Sequence, residues 1–324
     1  MPSLCFSRSS GLVRKAILPA LALGIVVLAV PAAHAQDLFV ANTATGTVSR
    51  ITPAGVVSTF ATGFTNPAGL AFGPNGDLFV SNYNFFDNSG TISRVTSAGV
   101  VSTFATALTS PLGLAFGANG DLFVSNQSAN TIRRVTPNGT VTTFATGLNG
   151  PNGLAFGSNG DLFVANQNNG VINRITPAGA VTTFATGLGT TLQSLVFGSN
   201  GDLFVAQSGL GNTGSIKRIT PTGTVSTFTS NTANAIGLAL GTSGDLFVTD
   251  TMAGNINRVS PTGIVTSFAT GLGQNNPFAL AFAPAVVAAP EPASLALVGV
   301  GFIGMVGMVA RRKPAKTSRP ARKA

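Results

Sequence analysis

The chain has 324 residues, of which 44% are hydrophobic and 8% are charged, and its formal net charge is +9. The positive excess lies entirely in the two ends, because residues 36–289 contain eight basic and eight acidic side chains. A neutral body lacks the electrostatic footprint of a DNA- or RNA-binding protein, so we expect no nucleic-acid partner.

The first 35 residues have the pattern of a secretory signal peptide. Basic residues precede an apolar stretch over residues 16–30, and Ala33 and Ala35 complete an A-x-A cleavage motif. This predicts a helical leader that is removed on export. Cleavage would also remove Cys5 and His34, the single cysteine and the single histidine of the chain.

The body of the chain repeats itself. The tetrapeptide Asp-Leu-Phe-Val occurs six times, with spacings of 40, 44, 40, 41 and 43 residues. Its copies start at Asp37, Asp77, Asp121, Asp161, Asp202 and Asp245. A period of this size indicates one supersecondary unit that buries itself against its neighbours, which predicts one repeat domain.

Each repeat reads as four antiparallel strands. In one copy the strands are predicted over residues 153–156, 161–166, 171–176 and 181–186, and an Asn-Gly pair at 159–160 predicts a hairpin with φ > 0 at both turn positions. Four strands in about 40 residues are typical of a propeller blade. A β-sandwich does not need such regular repetition, and a solenoid of this period usually carries helices.

The ends of the series predict a closed ring. The first copy begins at a second strand, and the last copy leaves an unpartnered first strand at residues 278–282. We expect this strand to complete the N-terminal blade, because closure removes exposed sheet edges. The predicted fold over residues 36–285 is therefore an all-β, six-bladed propeller. Its first strands contain Gly69, Gly113, Gly153, Ser194, Gly237 and Ala279.

Two recurring features are predicted to build the blades. Phenylalanine recurs on the first, second and fourth strands, as an apolar stripe expected in the core. One Asp and one Arg also recur in each blade, and a four-residue loop places Arg174 opposite Phe163 and diagonal to Asp161. We interpret these pairs as structural rather than as six ligand sites.

The C-terminal tail, residues 286–324, has the order of a membrane-associated sorting signal. Pro290, Glu291 and Pro292 precede an apolar stretch at about 293–310, which is near the short limit for a transmembrane helix. A basic cluster follows it. By the positive-inside rule that cluster stays in the cytoplasm and the propeller lies outside.

Arg311 and Arg312 begin this basic cluster. A Pro-Glu-Pro motif, a short membrane helix and an Arg-rich end together resemble the PEP-CTERM sorting signal of Gram-negative bacteria. The resemblance implies an inner-membrane anchor, processing by an exosortase, and release to the cell surface or the extracellular matrix. The export machinery and the exosortase are then the expected partners.

The segment Pro151 to Asn166 resembles the repeats of NHL and gluconolactonase-like (senescence-marker type) propellers, and the likeness extends over residues 37–283. In that family a divalent metal over the channel is held by Glu, Asn and Asp, partly from the residue before each first strand. Those positions here are Ala68, Leu112, Asn152, Gln193, Ile236 and Phe278. Asn152 alone matches, so we expect no metal and no cofactor.

The repeats differ most at the loop after the second strand. In the second blade this loop is longer and contains Tyr83, Phe85, Phe86 and Asp87. Two alternatives stay open for its rings: an exposed contact surface, or rings tucked into the top of the blade. Together with Asn152 and Asp250, these residues are the candidate binding face.

No catalytic set emerges from the body, which lacks cysteine and histidine. We therefore predict an exported binding or scaffold module that associates with extracellular polysaccharide or with another surface protein. The alternative is a divergent lactonase-like or lyase-like enzyme that acts outside the cytoplasm.

Overall fold

A computed structural model describes residues 36–209, 213–230, 232, 234–274 and 276–284. These residues form 24 strands and one short 3-10 helix, arranged as six four-stranded antiparallel sheets. Within these ranges no helix is long and apolar enough to cross a membrane. The signal peptide predicted at 1–35 and the membrane helix predicted at about 293–310 lie outside the described residues.

The first three blades follow the chain from the N-terminal end. Blade 1 contains β1 (Leu38–Asn42), β2 (Thr47–Ile51), β3 (Val57–Thr62) and the last strand of the chain, β24 (Pro277–Phe282). Blade 2 contains β4 (Pro67–Phe72), β5 (Leu78–Tyr83), β6 (Ser89–Val95) and β7 (Val101–Thr109). Blade 3 contains β8 (Pro111–Phe116), β9 (Leu122–Asn126), β10 (Thr131–Val135) and β11 (Val141–Ala145), with the 3-10 helix at Gln127–Ala129.

The last three blades repeat the same order from inner to outer strand. Blade 4 contains β12 (Pro151–Phe156), β13 (Leu162–Asn166), β14 (Val171–Ile175) and β15 (Val181–Ala185). Blade 5 contains β16 (Leu192–Phe197), β17 (Leu203–Gln207), β18 (Ser215–Ile219) and β19 (Val225–Thr229). Blade 6 contains β20 (Ala235–Leu240), β21 (Leu246–Asp250), β22 (Asn255–Val259) and β23 (Val265–Ala269).

The ring closes through blade 1, as predicted. β24 pairs antiparallel with β1, with Leu38 opposite Phe282, and the Ala283 amide donates to the Asp37 carbonyl at 2.9 Å. The innermost strand of each blade contacts the innermost strands of both neighbours, including β24 between β20 and β4. The all-β, six-bladed architecture is therefore confirmed.

The two faces of the ring carry different parts of the chain. We call the lower face the one that holds the turns between first and second strands, together with Asp37 and Ala283. The upper face is the opposite one, where each second strand ends and its following loop begins. Because β24 runs from the upper to the lower face, both ends of the described chain lie on the lower face.

Phenylalanine rings pack the blades against one another. Phe163 on β13 meets Phe184 of its own blade at 4.9 Å between ring centroids, and Phe197 of the next blade at 5.1 Å. Both contacts are T-shaped, the geometry that the ring quadrupoles favour. The trio recurs at every blade interface except that between blades 5 and 6, where Leu240 replaces the third ring and Phe204 pairs only with Phe228. The predicted core stripe is confirmed.

Each of the six blades has one Asp–Arg ion pair, which joins its second and third strands on the lower half. Arg218 donates through Nε to Asp202 Oδ2 at 2.6 Å, and Asn200 of the preceding turn donates to the same oxygen at 2.6 Å. The Asp202 side chain is 4% exposed. The predicted diagonal pairing is confirmed, and it ties the turn to the strands.

The turns between first and second strands differ from the prediction. Gly160 has φ +82°, but Asn159 does not have a positive φ. The Gly160 amide donates to the Gly157 carbonyl at 3.0 Å, and the Gly157 amide donates to the Asp161 carbonyl at 2.9 Å. The expectation of φ > 0 at both positions was wrong, because a longer turn that ends in one left-handed residue needs a positive φ only at the glycine, which adopts it without strain.

We expect Phe163→Ala to lower the free energy of unfolding by about 3–5 kcal/mol, because it removes a buried ring that joins two blades. Chemical denaturation followed by circular dichroism measures this change. Phe86→Ala, which truncates a ring that is 99% exposed, is the matched control and should leave stability unchanged. A loss below about 1 kcal/mol at Phe163 would contradict the packing role given to this ring.

Candidate functional site

Each blade contributes two repeat positions near the upper end of its inner strands, and we call the two sets of six residues the lower tier and the upper tier. The lower tier is the residue one position before the Gly, Ser or Ala that recurs in each first strand, and the upper tier is the residue six positions after each repeat Asp. The lower tier consists of Ala68, Leu112, Asn152, Gln193, Ile236 and Phe278. The upper tier consists of Thr43, Tyr83, Gln127, Gln167, Ser208 and Thr251.

A cavity of about 280 Å³ opens between the two tiers on the upper face. We call it the mouth cavity. Its lining is Tyr83, Phe85, Asn88, Ser110, Leu112, Gln127, Ser128, Asn152, Gln167, Gln193, Ile236 and Phe278. The structure therefore places three of the candidate residues, Tyr83, Phe85 and Asn152, around one concave surface. None of the lining side chains is charged.

One side of the mouth cavity is an arc of amide side chains. Asn152 Nδ2 donates to Gln193 Oε1 at 2.7 Å, and Gln193 Nε2 donates to Ser208 Oγ at 2.9 Å. Asn152 and Gln193 are each 6% exposed. Above them the half-buried Gln127 and Gln167 are hydrogen-bonded to each other. Mutual bonding fixes the orientation of these amides, so the arc is preorganised.

The other side of the mouth cavity is apolar and aromatic. Leu112, Ile236 and Phe278 line it from below, and the Tyr83 and Phe85 rings line it from blade 2. The centroids of those two rings are 4.3 Å apart with planes at 66°. Burial raises the pKa of Tyr83 to about 12, because the phenolate would lose hydration there.

The long loop of blade 2 is a hydrogen-bonded turn that exposes its two phenylalanines. The Asn84 amide donates to the Ser89 carbonyl at 2.8 Å, and the Phe86 amide donates to Asn84 Oδ1 at 3.0 Å. Phe85 is 61% exposed and Phe86 is 99% exposed. Of the two alternatives left open by the sequence, the structure shows the exposed arrangement for both phenylalanines. Phe86 does not line the mouth cavity.

The two candidate carboxylates stand apart from the mouth cavity. Asp87 is exposed and accepts a hydrogen bond from the Ser89 amide at 2.8 Å, and its hydrogen bonding to Ser89 lowers its pKa. Asp250, at the end of β21, is buried and accepts from the Ala253 amide at 3.1 Å. Both therefore shape loops, and neither joins Asn152 in one site.

The donor set around the channel does not fit the divalent metal of gluconolactonase-like propellers. The lower tier offers two amides and no carboxylate, and the Asn152 amide is hydrogen-bonded to Gln193. Hard cations in proteins take several oxygen ligands, charged ones among them. Among the described residues no cluster of His, Cys, Asp or Glu could hold a metal ion.

Sequence reasoning missed part of this site. Gln127 and Gln167 were not predicted, although they occupy the same repeat position as Tyr83. Comparing that position across all repeats would have found the upper tier. Ser110 and Ser128, whose hydroxyls are 2.8 Å apart, come from a strand junction and from the 3-10 helix. No repeat pattern marks them, because their meeting depends on how adjacent blades pack.

The geometry defines a closed six-bladed propeller with an uncharged cavity at its upper mouth. The chain belongs to the Virginiamycin B lyase family, whose characteristic sequence pattern matches residues 11–185 and 65–288. Residues 288–313 match the PEP-CTERM protein-sorting motif, which implies export and confirms that prediction. No curated protein matches the chain.

Solved structures of similar fold include the virginiamycin B lyase of Staphylococcus aureus, with 22% identity, a TM-score of 0.54, and coverage of 67% of this chain and 77% of that one. A catalytically inactive histidine-to-alanine variant of that lyase with quinupristin is similar at 23% identity, TM-score 0.54 and the same coverage. A gluconolactonase-like protein has 16% identity and a TM-score of 0.54, covering 75% of this chain and 92% of that one. At these identities the likeness shows the fold alone.

Tyr83 is the single tyrosine of the chain, so a spectrophotometric titration of tyrosinate reports this side chain alone. We expect a midpoint at about pH 12, compared with the ordinary value of 10.0, while circular dichroism shows the fold intact. Phe85→Ala should move the midpoint down toward 10, because water then reaches the phenol. Phe86→Ala should leave it unchanged. A midpoint near 10 in the folded wild type would refute the half-buried position of the ring.

Proposed function

We propose that this protein is an exported binding module that holds its ligand at the mouth cavity on the upper face. The observation that carries the proposal is the lining of that cavity, a preorganised amide arc opposite an aromatic wall. A concave, largely preformed site with a few convergent polar groups is the usual form of a ligand site. The function is recognition or scaffolding rather than bond cleavage.

The expected location of the protein supports the same function. The sorting motif implies membrane anchoring followed by surface localisation. The tail leaves the propeller beside Ala283, on the lower face. The mouth cavity, on the opposite face, is then directed away from the point of attachment. A module tethered in this way presents its binding site to the surroundings of the cell.

The proposed partners follow from this position. The export machinery and an exosortase handle the two ends of the chain. Extracellular polysaccharide or another surface protein is the candidate ligand of the mature propeller, after release to the cell surface or the extracellular matrix.

We expect the double substitution Phe85→Ala with Phe86→Ala to reduce retention at the cell surface without unfolding the protein, because both rings are exposed on the upper face. The measurement is quantification of the full-length protein in surface and culture-medium fractions of the producing bacterium, with each variant replacing the native gene. Val100→Ala, which truncates an exposed side chain on the lower face, is the control. Retention equal to wild type in the double variant would refute the role of the upper face.

The family match favours a second function, a divergent lyase-like or lactonase-like enzyme outside the cytoplasm. The inactive histidine-to-alanine variant ties the activity of the staphylococcal lyase to a histidine. In this chain the single histidine is His34, in the predicted signal peptide. The metal of the lactonase type would have to bind without a carboxylate in the lower tier. For these two reasons we favour the binding function over the enzymatic one.

Elemental analysis of the purified full-length protein separates the two functions. We expect substoichiometric calcium and zinc, because the two amides of the lower tier are bonded to each other and no carboxylate joins them. A control sample dialysed against excess calcium and then against metal-free buffer should return to the same level. One tightly held divalent ion per chain would favour the enzyme.

A further inference from the structure

The chemistry of the mouth cavity distinguishes between the two ligand classes that the proposed function leaves open. We propose that the ligand is a neutral saccharide, bound through one or two sugar rings, and not a protein surface or a charged polymer. This inference rests on the proposed function, since it concerns the same cavity. It depends on the charge, hydrogen-bonding capacity and shape of the lining.

The absence of charged side chains in the mouth cavity argues against acidic and basic ligands. None of the twelve lining residues is ionisable at neutral pH, since the Tyr83 phenol stays protonated up to a pKa of about 12. The nearest candidate carboxylates, on Asp87 and Asp250, are bonded to backbone amides of their own loops. A charged group that entered the cavity would lose hydration without gaining an ion pair, which costs free energy.

The hydrogen-bonding groups fit hydroxyls. Each amide side chain of Gln127, Gln167 and Asn152 carries both donors and an acceptor, and the hydroxyls of Ser110 and Ser128 can do either. A sugar hydroxyl also donates and accepts, so neighbouring hydroxyls can match such an arc in several ways. The amides are held by bonds to one another, so little side-chain entropy is lost when the ligand binds.

The aromatic wall, formed by the Tyr83 and Phe85 rings, can pack against the apolar face of a sugar ring. Pyranose rings present C–H groups that pack against an aromatic surface, while their hydroxyls point outward around the ring edge. Phe85 offers an exposed ring beside the mouth cavity, and its contact with Tyr83 fixes its position. The amide arc lies across the cavity from it, so one ring can meet both.

The size of the cavity argues against a protein partner. Its volume of about 280 Å³ lies at the small end of ligand pockets. The channel below it is narrow, with a cavity of about 60 Å³ lined by first-strand residues of all six blades. A stable protein interface needs about 800 Å² from each partner, whereas among the described residues the exposed large hydrophobic side chains on the upper face are Phe85, Phe86 and Met252.

Isothermal titration calorimetry on the full-length protein, purified in a detergent without sugar head groups, tests the inference. The probes are hexasaccharides of glucose, mannose and galactose, an oligogalacturonate of equal length, and an uncharged glutamine-containing peptide. We expect at least one neutral hexasaccharide to bind. Phe85→Ala should weaken its binding about tenfold by removing the aromatic contact, whereas Phe86→Ala should leave its Kd unchanged.

Each other outcome has a definite meaning. Preferred binding of the oligogalacturonate or the peptide overturns the saccharide assignment, as does neutral binding that Phe85→Ala leaves intact. If no probe binds while surface retention still depends on the upper-face rings, the ligand class is wrong and the proposed function stands. If retention is also independent of those rings, the proposed function fails as well.

Discussion

The propeller depends on the packing of phenylalanine rings between neighbouring blades. At five of the six blade interfaces a second-strand ring lies between a fourth-strand ring of its own blade and a first-strand ring of the next, so that neighbouring blades bury apolar surface against each other. This mutual burial is the main favourable term in such a ring. Because the rings lie on the lower half of the blades beside the Asp–Arg pairs, they also position the inner strands that carry the upper mouth.

Structure and recognition are separated along each strand. The recurring Asp and Arg side chains form ion pairs and the recurring Phe rings pack against each other. These positions differ little from blade to blade. The two tiers at the upper mouth differ from blade to blade, from Phe278 to Asn152, although Thr43 and Thr251 also donate to backbone carbonyls of the next blade. The result is a rigid and nearly sixfold frame with an asymmetric cavity. Both ends of the described chain lie on the opposite face, at Asp37 and Ala283.

Local rules predicted the repeating parts well. The blade count and the closing strand followed from the period, and the Asp161–Arg174 pair followed from hairpin register, because each involves residues close in sequence or related by the repeat. The turn at 159–160 was predicted wrongly, since the Asn-Gly rule applies to two-residue loops and this loop is longer. The pairing of Gln127 with Gln167 was missed because it crosses a blade boundary.

The fold of one blade, the number of blades and the sorting signal could be read from the amino-acid sequence, because periodic patterns and contiguous motifs encode them. The sequence also indicated the upper face, through the positions where the repeat breaks. The three-dimensional arrangement of the blades was needed to show that Tyr83, Phe85 and Asn152 line one cavity, that Asp87 and Asp250 lie outside it, and that Ser110 meets Ser128. Those relations depend on the angle and spacing between blades, which are set by side-chain packing and not by any local segment.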